Sequence, residues 1–283
     1  MAALLAYLFY FVAATASPIQ RRWLAVKRET DSRGQVDFAF KVVLINAILG
    51  LLIILFEPFQ IAGNPRDLFL LALTSGLFGA GFFISSYVAQ RHVDAGITTL
   101  VSNIYTPITI MLATIFLNEK LTMMQIGGTA LLLLSIFLIS KKHRVGKLHF
   151  DKYFLLMTAS GVMLGILLTA ERALQKITGF SAGTLLSWWS QCIALGVVSY
   201  LTRSKSPHTT KDVAITGVLR FFQSLSWVIL IFVVGNLSLV SAVTTFKIVV
   251  VFVVGAIFLH EREDLPRKVL GSFIAITGLL MMR

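Results

Sequence analysis

Apolar residues come in long runs separated by short polar breaks. Ten such runs are readable, at 2–19, 38–57, 68–89, 97–117, 122–140, 153–173, 181–201, 213–234, 237–259 and 268–282. A bilayer core about 30 Å thick takes roughly 20 helical residues to cross. The runs therefore predict an all-α polytopic membrane protein with ten transmembrane helices. The connections are short, so neighbouring helices are expected to pack antiparallel. The basic stretch Lys141–Lys152 is the boundary between two five-helix units, residues 1–150 and 151–283.

The two units carry the same punctuation. Ile115-Phe116-Leu117-Asn118-Glu119-Lys120 is echoed 142 residues later by Ile257-Phe258-Leu259-His260-Glu261-Arg262. Asp67, before the third run, corresponds to Asp212 before the eighth, and Gly128 corresponds to Gly271. Five crossings is an odd number, so the second copy starts from the opposite side of the membrane. Two inverted five-helix repeats are the expected architecture.

Composition agrees. Of 283 residues 57% are apolar and 13% are charged, with mean hydropathy +0.84. A soluble domain carries about 25% charged residues. The net charge of +12 sits in short loops, which points to lipid headgroups and topology, not to nucleic acid. Eighteen of the 25 Lys and Arg lie in the odd-to-even loops or at the run ends beside them, five lie likewise on the opposite side, and Arg220 and Lys247 lie deep inside runs. The excess of positive loops marks the cytoplasm, which places both termini outside. Met1 abuts the first run without a basic leader or small-residue cleavage site, so that run is expected to be a span. Cys192 is the single cysteine, which excludes an internal disulfide and a cysteine-based metal centre.

A run ending in Leu117-Asn118-Glu119-Lys120-Leu121, followed by Gln125, Gly127 and Gly128 and then Leu and Ile, resembles the drug/metabolite transporter superfamily, and most of all its EamA-type members with two five-helix repeats. Tyr105-Thr106-Pro107 matches the proline usual there, and Leu259-His260-Glu261-Arg262 with Gly271 repeats the mark. The resemblance implies a ten-helix transporter of small metabolites with a central cavity between the halves. It also implies both termini in the cytoplasm, the reverse of what the charge count gives. The ninth run departs from the pattern, lacking the proline and carrying Lys247 instead.

Lys247 is the sharpest candidate. A cation at bilayer depth costs on the order of 3 kcal/mol, so it should face the bundle interior. It is either a binding group for an anionic moiety, or a fixed partner of Glu171 or Glu57, or a snorkelling side chain. Arg220 lies eight residues into the eighth run. Arg220, Gln223 and Trp227 follow helical spacing and form one stripe. Asn103, Tyr105 and Pro107 are the counterpart in the fourth run. Pro107 removes the donor that Asn103 would accept, which makes this segment a cavity wall and hinge, or a kink closed by Thr106 or Thr109. Trp188 and Trp189 point about 100° apart, so at most one faces a cavity. Glu119 and Glu261 read as structural groups at tight turns. The Gly161/Gly165 pair reads as intramolecular packing.

The first run holds no acidic residue, and no Asp or Glu falls at the centre of any run. No phosphate-binding loop, zinc-protease pair or nucleophile elbow is present, and the five His lack metal-ligand spacing. Neither cofactor nor metal is expected, and the chain does not read as an enzyme. The expectation is a permease of the cell membrane, moving a neutral, zwitterionic or anionic small molecule by alternating access. The rival is a non-transporting scaffold or lipid-handling subunit.

Overall fold

The computed structural model of the chain describes residues 2–27, 31–89, 92, 101–140, 152–203, 205–258 and 265–281. Its helices are α1 (Ala2–Lys27), α2 (Ser32–Gly50), α3 (Pro65–Ala89), α4 (Tyr105–Leu117), α5 (Met123–Ser140), α6 (Lys152–Thr178), α7 (Phe180–Thr202), α8 (Thr210–Val234), α9 (Leu237–Thr244), α10 (Lys247–Phe258) and α11 (Leu265–Met281). No strand occurs among the described residues. Among the described residues, six segments are long and apolar enough to cross a membrane: most of α1, α2 with a 3-10 turn over Leu51–Leu55, α3, α6, α7 and α8. α4, α5 and the pair α9–α10 are shorter apolar helices. Leu55, Phe56, Phe116, Met123 and Tyr200 are each at least 72% exposed, as a surface solvated by lipid tails requires.

Helix ends extend past the apolar runs where polar residues cap them. α2 starts at Ser32, not at 38, because the Asp31 carboxylate accepts the Gly34 N–H at 2.7 Å. Asp37 is tolerated inside the helix because it accepts from Lys41 and from the Ser206 N–H, each at 2.7 Å. α8 starts at Thr210 through a capping box between Thr209 and Asp212, which satisfies two otherwise orphaned donors. The mark at 115–120 ends a helix because Asn118 adopts the left-handed conformation, φ 55°. Its echo at Leu259–Arg262, the start of the fourth run and most of Lys141–Lys152 lie outside the described residues.

The fourth and ninth runs are not continuous helices. The fourth turns at Asn103–Ile104 before α4 begins, and the ninth turns at Thr245–Phe246 between α9 and α10. Both turns tighten by the same i to i−3 bonds. Ile104 N–H donates to Val101 and Thr106 N–H to Asn103, just as Phe246 donates to Val243 and Ile248 to Thr245. In the first case Pro107 lies in the opening turn of α4, where a missing donor is harmless. In the second no proline is present. There the Thr244 and Thr245 hydroxyls bond back to the carbonyls of Val240 and Ser241 at 2.7–3.1 Å, which competes with the helical ladder.

Packing is paired across the chain. α3 lies against α6 and α7, and α8 lies against α1 and α2. α2 meets α7, α4 meets α9, and α5 meets α11. The close approaches use glycine. A Cβ on Gly161 would fall 2.6 Å from the Ser102 carbonyl oxygen and 2.4 Å from Ile104 Cγ2. The Gly161/Gly165 pair therefore serves contact within the chain. The Ser102 obstacle is backbone and cannot rotate away, so Gly161→Val should lower stability by about 1–3 kcal/mol. Thermal unfolding of the detergent-purified variant measures it, and an unchanged midpoint would mean the contact is loose.

Candidate functional site

The broken fourth and ninth runs meet at their turns. Asn103 donates to Thr245 Oγ1 at 3.3 Å, and the Thr106 and Thr245 hydroxyls lie 2.9 Å apart. Neither expected hydroxyl closes the kink within its own helix. Thr106 bonds across to the ninth run, and Thr109 Oγ1 has no partner among the described residues. The turn at Thr245 also fixes Lys247 as the first residue of α10. Its ammonium group donates to Tyr105 Oη at 3.3 Å and to Tyr10 Oη at 3.4 Å, and sits 4.6 Å from the centre of the Tyr105 ring. These contacts are long for charged hydrogen bonds.

Tyr10, Tyr105 and Trp227 form an aromatic corner around that cation, with ring centres 5.7 Å (Tyr10–Trp227) and 6.4 Å (Tyr105–Trp227) apart. The corner bounds a cavity of about 70 Å³. Several waters fit in such a volume; it is far below the 300–1,000 Å³ of a pocket for a drug-sized ligand. On its far side α8 contributes Arg220, Gln223 and Ser224, while α6 and α7 contribute Glu171, Trp188 and Gln191. Arg220 Nη1 donates to Gln223 Oε1 at 3.2 Å, and the guanidinium lies 4.9 Å over the Phe83 ring.

Glu171 is 4% exposed. Its Oε2 accepts from Ser187 at 2.8 Å, and Ser187 is itself bonded to Ser75 at 2.7 Å and to Gln191 at 2.8 Å. Among the described residues no carboxylate lies within ion-pair distance of Lys247 or Arg220. Of the two acids expected as partners for Lys247, Glu171 is held by Ser187, and Glu57 accepts the Ser181 N–H at 2.6 Å at the start of α7. Lys247 and Arg220 are part-buried cations, and Glu171 is the one carboxylate among the residues that line the cavity with them.

Lys247, Arg220, Gln223, Trp227 and Tyr105 thus share one cavity. Asn103 is buried at the helix turn behind it, its Oδ1 unpartnered. Pro107 is exposed on the outer side of α4 and shapes the backbone without lining the site. Trp188 lines the cavity, while Trp189 lines a separate, nearly wholly apolar groove with Leu51, Phe59 and Ile193. Tyr10, a wall residue, escaped the sequence reading as one aromatic among many in the first run. Glu171, considered there only as a fixed partner of Lys247, lines the cavity held by Ser187, on an α6 that continues beyond 173 to Thr178. The polar spacing Glu171, Gln175, Thr178 on an otherwise apolar helix was the signal that α6 keeps one face against protein to its end.

A second polar cluster closes one end of the bundle. Glu119 accepts from Arg172 Nε at 3.2 Å, from Lys176 Nζ at 2.8 Å and from the Leu237 N–H that opens α9. Arg172 also donates to the Gly235 carbonyl at 2.8 Å, and Lys176 to that of Leu117 at 2.8 Å. The structural role expected of Glu119 is therefore carried out across four helices and not within one turn.

Residues 1–141 match the EamA-like transporter family. The chain belongs to that family. Among curated proteins it is similar to a probable terminal-alkyne amino-acid exporter of Streptantibioticus cattleyicolor, at 23% identity over 77% of this chain and 74% of that protein. A crystal structure superposes with TM-score 0.69 at 15% identity, covering 98% of this chain and 97% of that one, so the fold is shared over the full length. The EamA-type chain is an integral, multi-pass membrane protein of a transporter family.

Glu119→Ala would leave the buried Leu237 N–H and the 13%-exposed Arg172 side chain without their acceptor. A loss of about 1–3 kcal/mol is expected, read as a lowered unfolding midpoint. Lys247→Met, which removes a part-buried cation without an ion-pair partner among the described residues, should leave the midpoint unchanged or raise it. The opposite ranking of the two variants would refute this division between a charge that holds the fold and one that does not.

Proposed function

We propose that the chain is a permease that carries a small solute bearing a carboxylate, neutral overall or anionic, through the cavity between α1, α4, α8 and α10. The observation that carries this reading is the meeting of two broken helices at a cavity holding Lys247 and Arg220 with no ion-paired carboxylate among the described residues. Irregular backbone and unpaired charge at membrane depth are tolerated where they line a wet cavity. The Glu171 carboxylate on the opposite wall offers a place for a substrate ammonium group. Amino acids are the first class to test, because the relative from Streptantibioticus cattleyicolor is described as an amino-acid exporter.

The ten crossings form two inverted repeats, 1–150 and 151–283, in this proposal. Three features support it. The two helix breaks share the same bonds at an offset of 142 residues, 104 to 101 against 246 to 243 and 106 to 103 against 248 to 245. The packing of α3 on α6 and α7 is repeated by that of α8 on α1 and α2. Residues at equivalent positions touch: Asn103 meets Thr245, and Tyr105 meets Lys247. A pseudo-twofold axis would then run between the two turns, beside the cavity. Rocking of one repeat against the other about that axis would expose the cavity to each side of the cell membrane in turn.

Purified protein in liposomes is expected to move an amino acid or other carboxylate at a rate that saturates with concentration. Lys247→Ala should reduce flux at least tenfold or change the preference among solutes. Equal flux with unchanged preference would refute the assignment of Lys247. Cys192 is buried, so a cysteine at exposed Ser32 or Ala62 reports topology alone. Labelling of Ser32→Cys from the cytoplasmic face and of Ala62→Cys from outside is expected from the charge distribution, and the reverse pattern would put both termini inside.

A further inference from the structure

Beside the cavity lie buried donors that this reading does not use, on Arg21, on Tyr87 and on the Nε of Arg220. Arg21 of α1 is 8% exposed, yet its Nε and Nη1 donors have no partner. Tyr87 of α3 is 3% exposed, and its hydroxyl has no partner. Arg220 Nε is also buried and unpartnered. The two arginines are arranged in parallel. The Arg21 guanidinium lies 4.9 Å from the centre of the Tyr87 ring, and that of Arg220 lies 4.9 Å from the centre of the Phe83 ring. Phe83 and Tyr87 are four residues apart, hence on one face of α3 one turn removed, with ring centres 6.2 Å apart. Two guanidinium groups from α1 and α8 therefore stack side by side on one aromatic ladder, within electrostatic reach of each other and of Tyr87.

Stacking on a ring compensates part of the lost hydration of a guanidinium. It does nothing for the in-plane N–H donors, and it does not remove the repulsion between like charges. Burying two cations together is costly unless an anion lies between them. Among the described residues neither arginine has a carboxylate within ion-pair distance; Glu171 reaches Arg220 only at longer range. Four donors, all orphaned, are what an oxyanion would satisfy: two N–H groups of Arg21, one of Arg220, and the Tyr87 O–H.

We propose that Arg21, Tyr87 and Arg220 form an anion-binding subsite, beside the Lys247 cavity and sharing Arg220 with it, that takes a carboxylate or phosphate group. The subsite stands whether or not the protein transports. A forked guanidinium matches either oxyanion with paired bonds. The group could belong to a free metabolite or to the headgroup of an anionic lipid, and the two sources are separable.

The full-length protein in phosphatidylcholine nanodiscs is titrated with inorganic phosphate and with succinate at constant ionic strength, with chloride as control, following the unfolding midpoint. A second series replaces part of the phosphatidylcholine with phosphatidylglycerol and adds no other anion. A ligand that binds the folded state raises the midpoint. Wild type should respond saturably in at least one series, the first marking a free anion and the second a headgroup. Arg21→Gln should show the opposite pair of effects: a higher midpoint without anion, because a buried unpaired charge is gone, and a half-saturating concentration at least tenfold higher. Tyr87→Phe removes only the hydroxyl and should weaken binding several-fold with the midpoint otherwise intact. It decides the matter alone if Arg21→Gln fails to fold. No saturable response of wild type in either series overturns the proposal, as does an unchanged response in the variants.

Discussion

The constraint on which the rest depends is that a helix broken at membrane depth must find partners for what the break exposes. At Asn103–Ile104 and Thr245–Phe246 the partners come from the other break. Asn103, Thr106 and Thr245 bond to one another, and the i to i−3 bonds keep the local backbone donors satisfied. The arrangement is self-consistent because each turn supplies what its counterpart lacks. It also sets the position of Lys247, whose backbone starts α10 directly after the turn and whose ammonium group donates to Tyr10 and Tyr105. A continuous ninth helix would rotate that ammonium group toward other neighbours.

Glu119 acts on the same elements from their other end. It receives the first N–H of α9 and the last cations of α6. An anion at a helix N-terminus and cations at a helix C-terminus are each favoured by the helix dipoles, so the cluster ties the start of α9 to the end of α6 by three favourable terms at once. α9 is only eight residues long. So short a helix is marginal by itself; its hold at Glu119 on one side and at Thr245 on the other is what keeps it in place.

The pattern of apolar runs located every helix that the structure describes, since the membrane leaves a strong linear signal: about 20 apolar residues per crossing. It failed at ends and breaks. The start of α2 carries Arg33, Gln35 and Asp37 and so looked like loop, yet Asp31 caps the helix and Asp37 accepts the Ser206 N–H. The break in the ninth run has no proline to announce it. Its cause is the pair Thr244–Thr245, whose hydroxyls turn back on the carbonyls of Val240 and Ser241, a choice that is made only because the facing turn accepts Thr245. Such a break is tertiary in origin and carries little signal in one-dimensional hydropathy.

The site was legible in its cations and not in their surroundings. Lys247 and Arg220 stood out because a charge inside an apolar run has few bland explanations. Arg21 did not, because it lies beside Arg22 at the end of a run, where arginines ordinarily reach water. What distinguishes it is burial beneath Tyr87, a residue of a different helix. Glu171 was legible only as a possible partner of Lys247: α6 outlasts its apolar run and keeps the acid in the bundle, where Ser187 holds it, itself bonded to Ser75 and Gln191. Of the buried charges around this cavity, those flanked by apolar sequence could be found from the chain alone. Those flanked by polar sequence become visible only when a second helix covers them. Both groups together leave the cations in excess, since Lys247 and Arg220 share the cavity with one carboxylate that a serine already engages, and Arg21 adds a third positive charge beside Arg220.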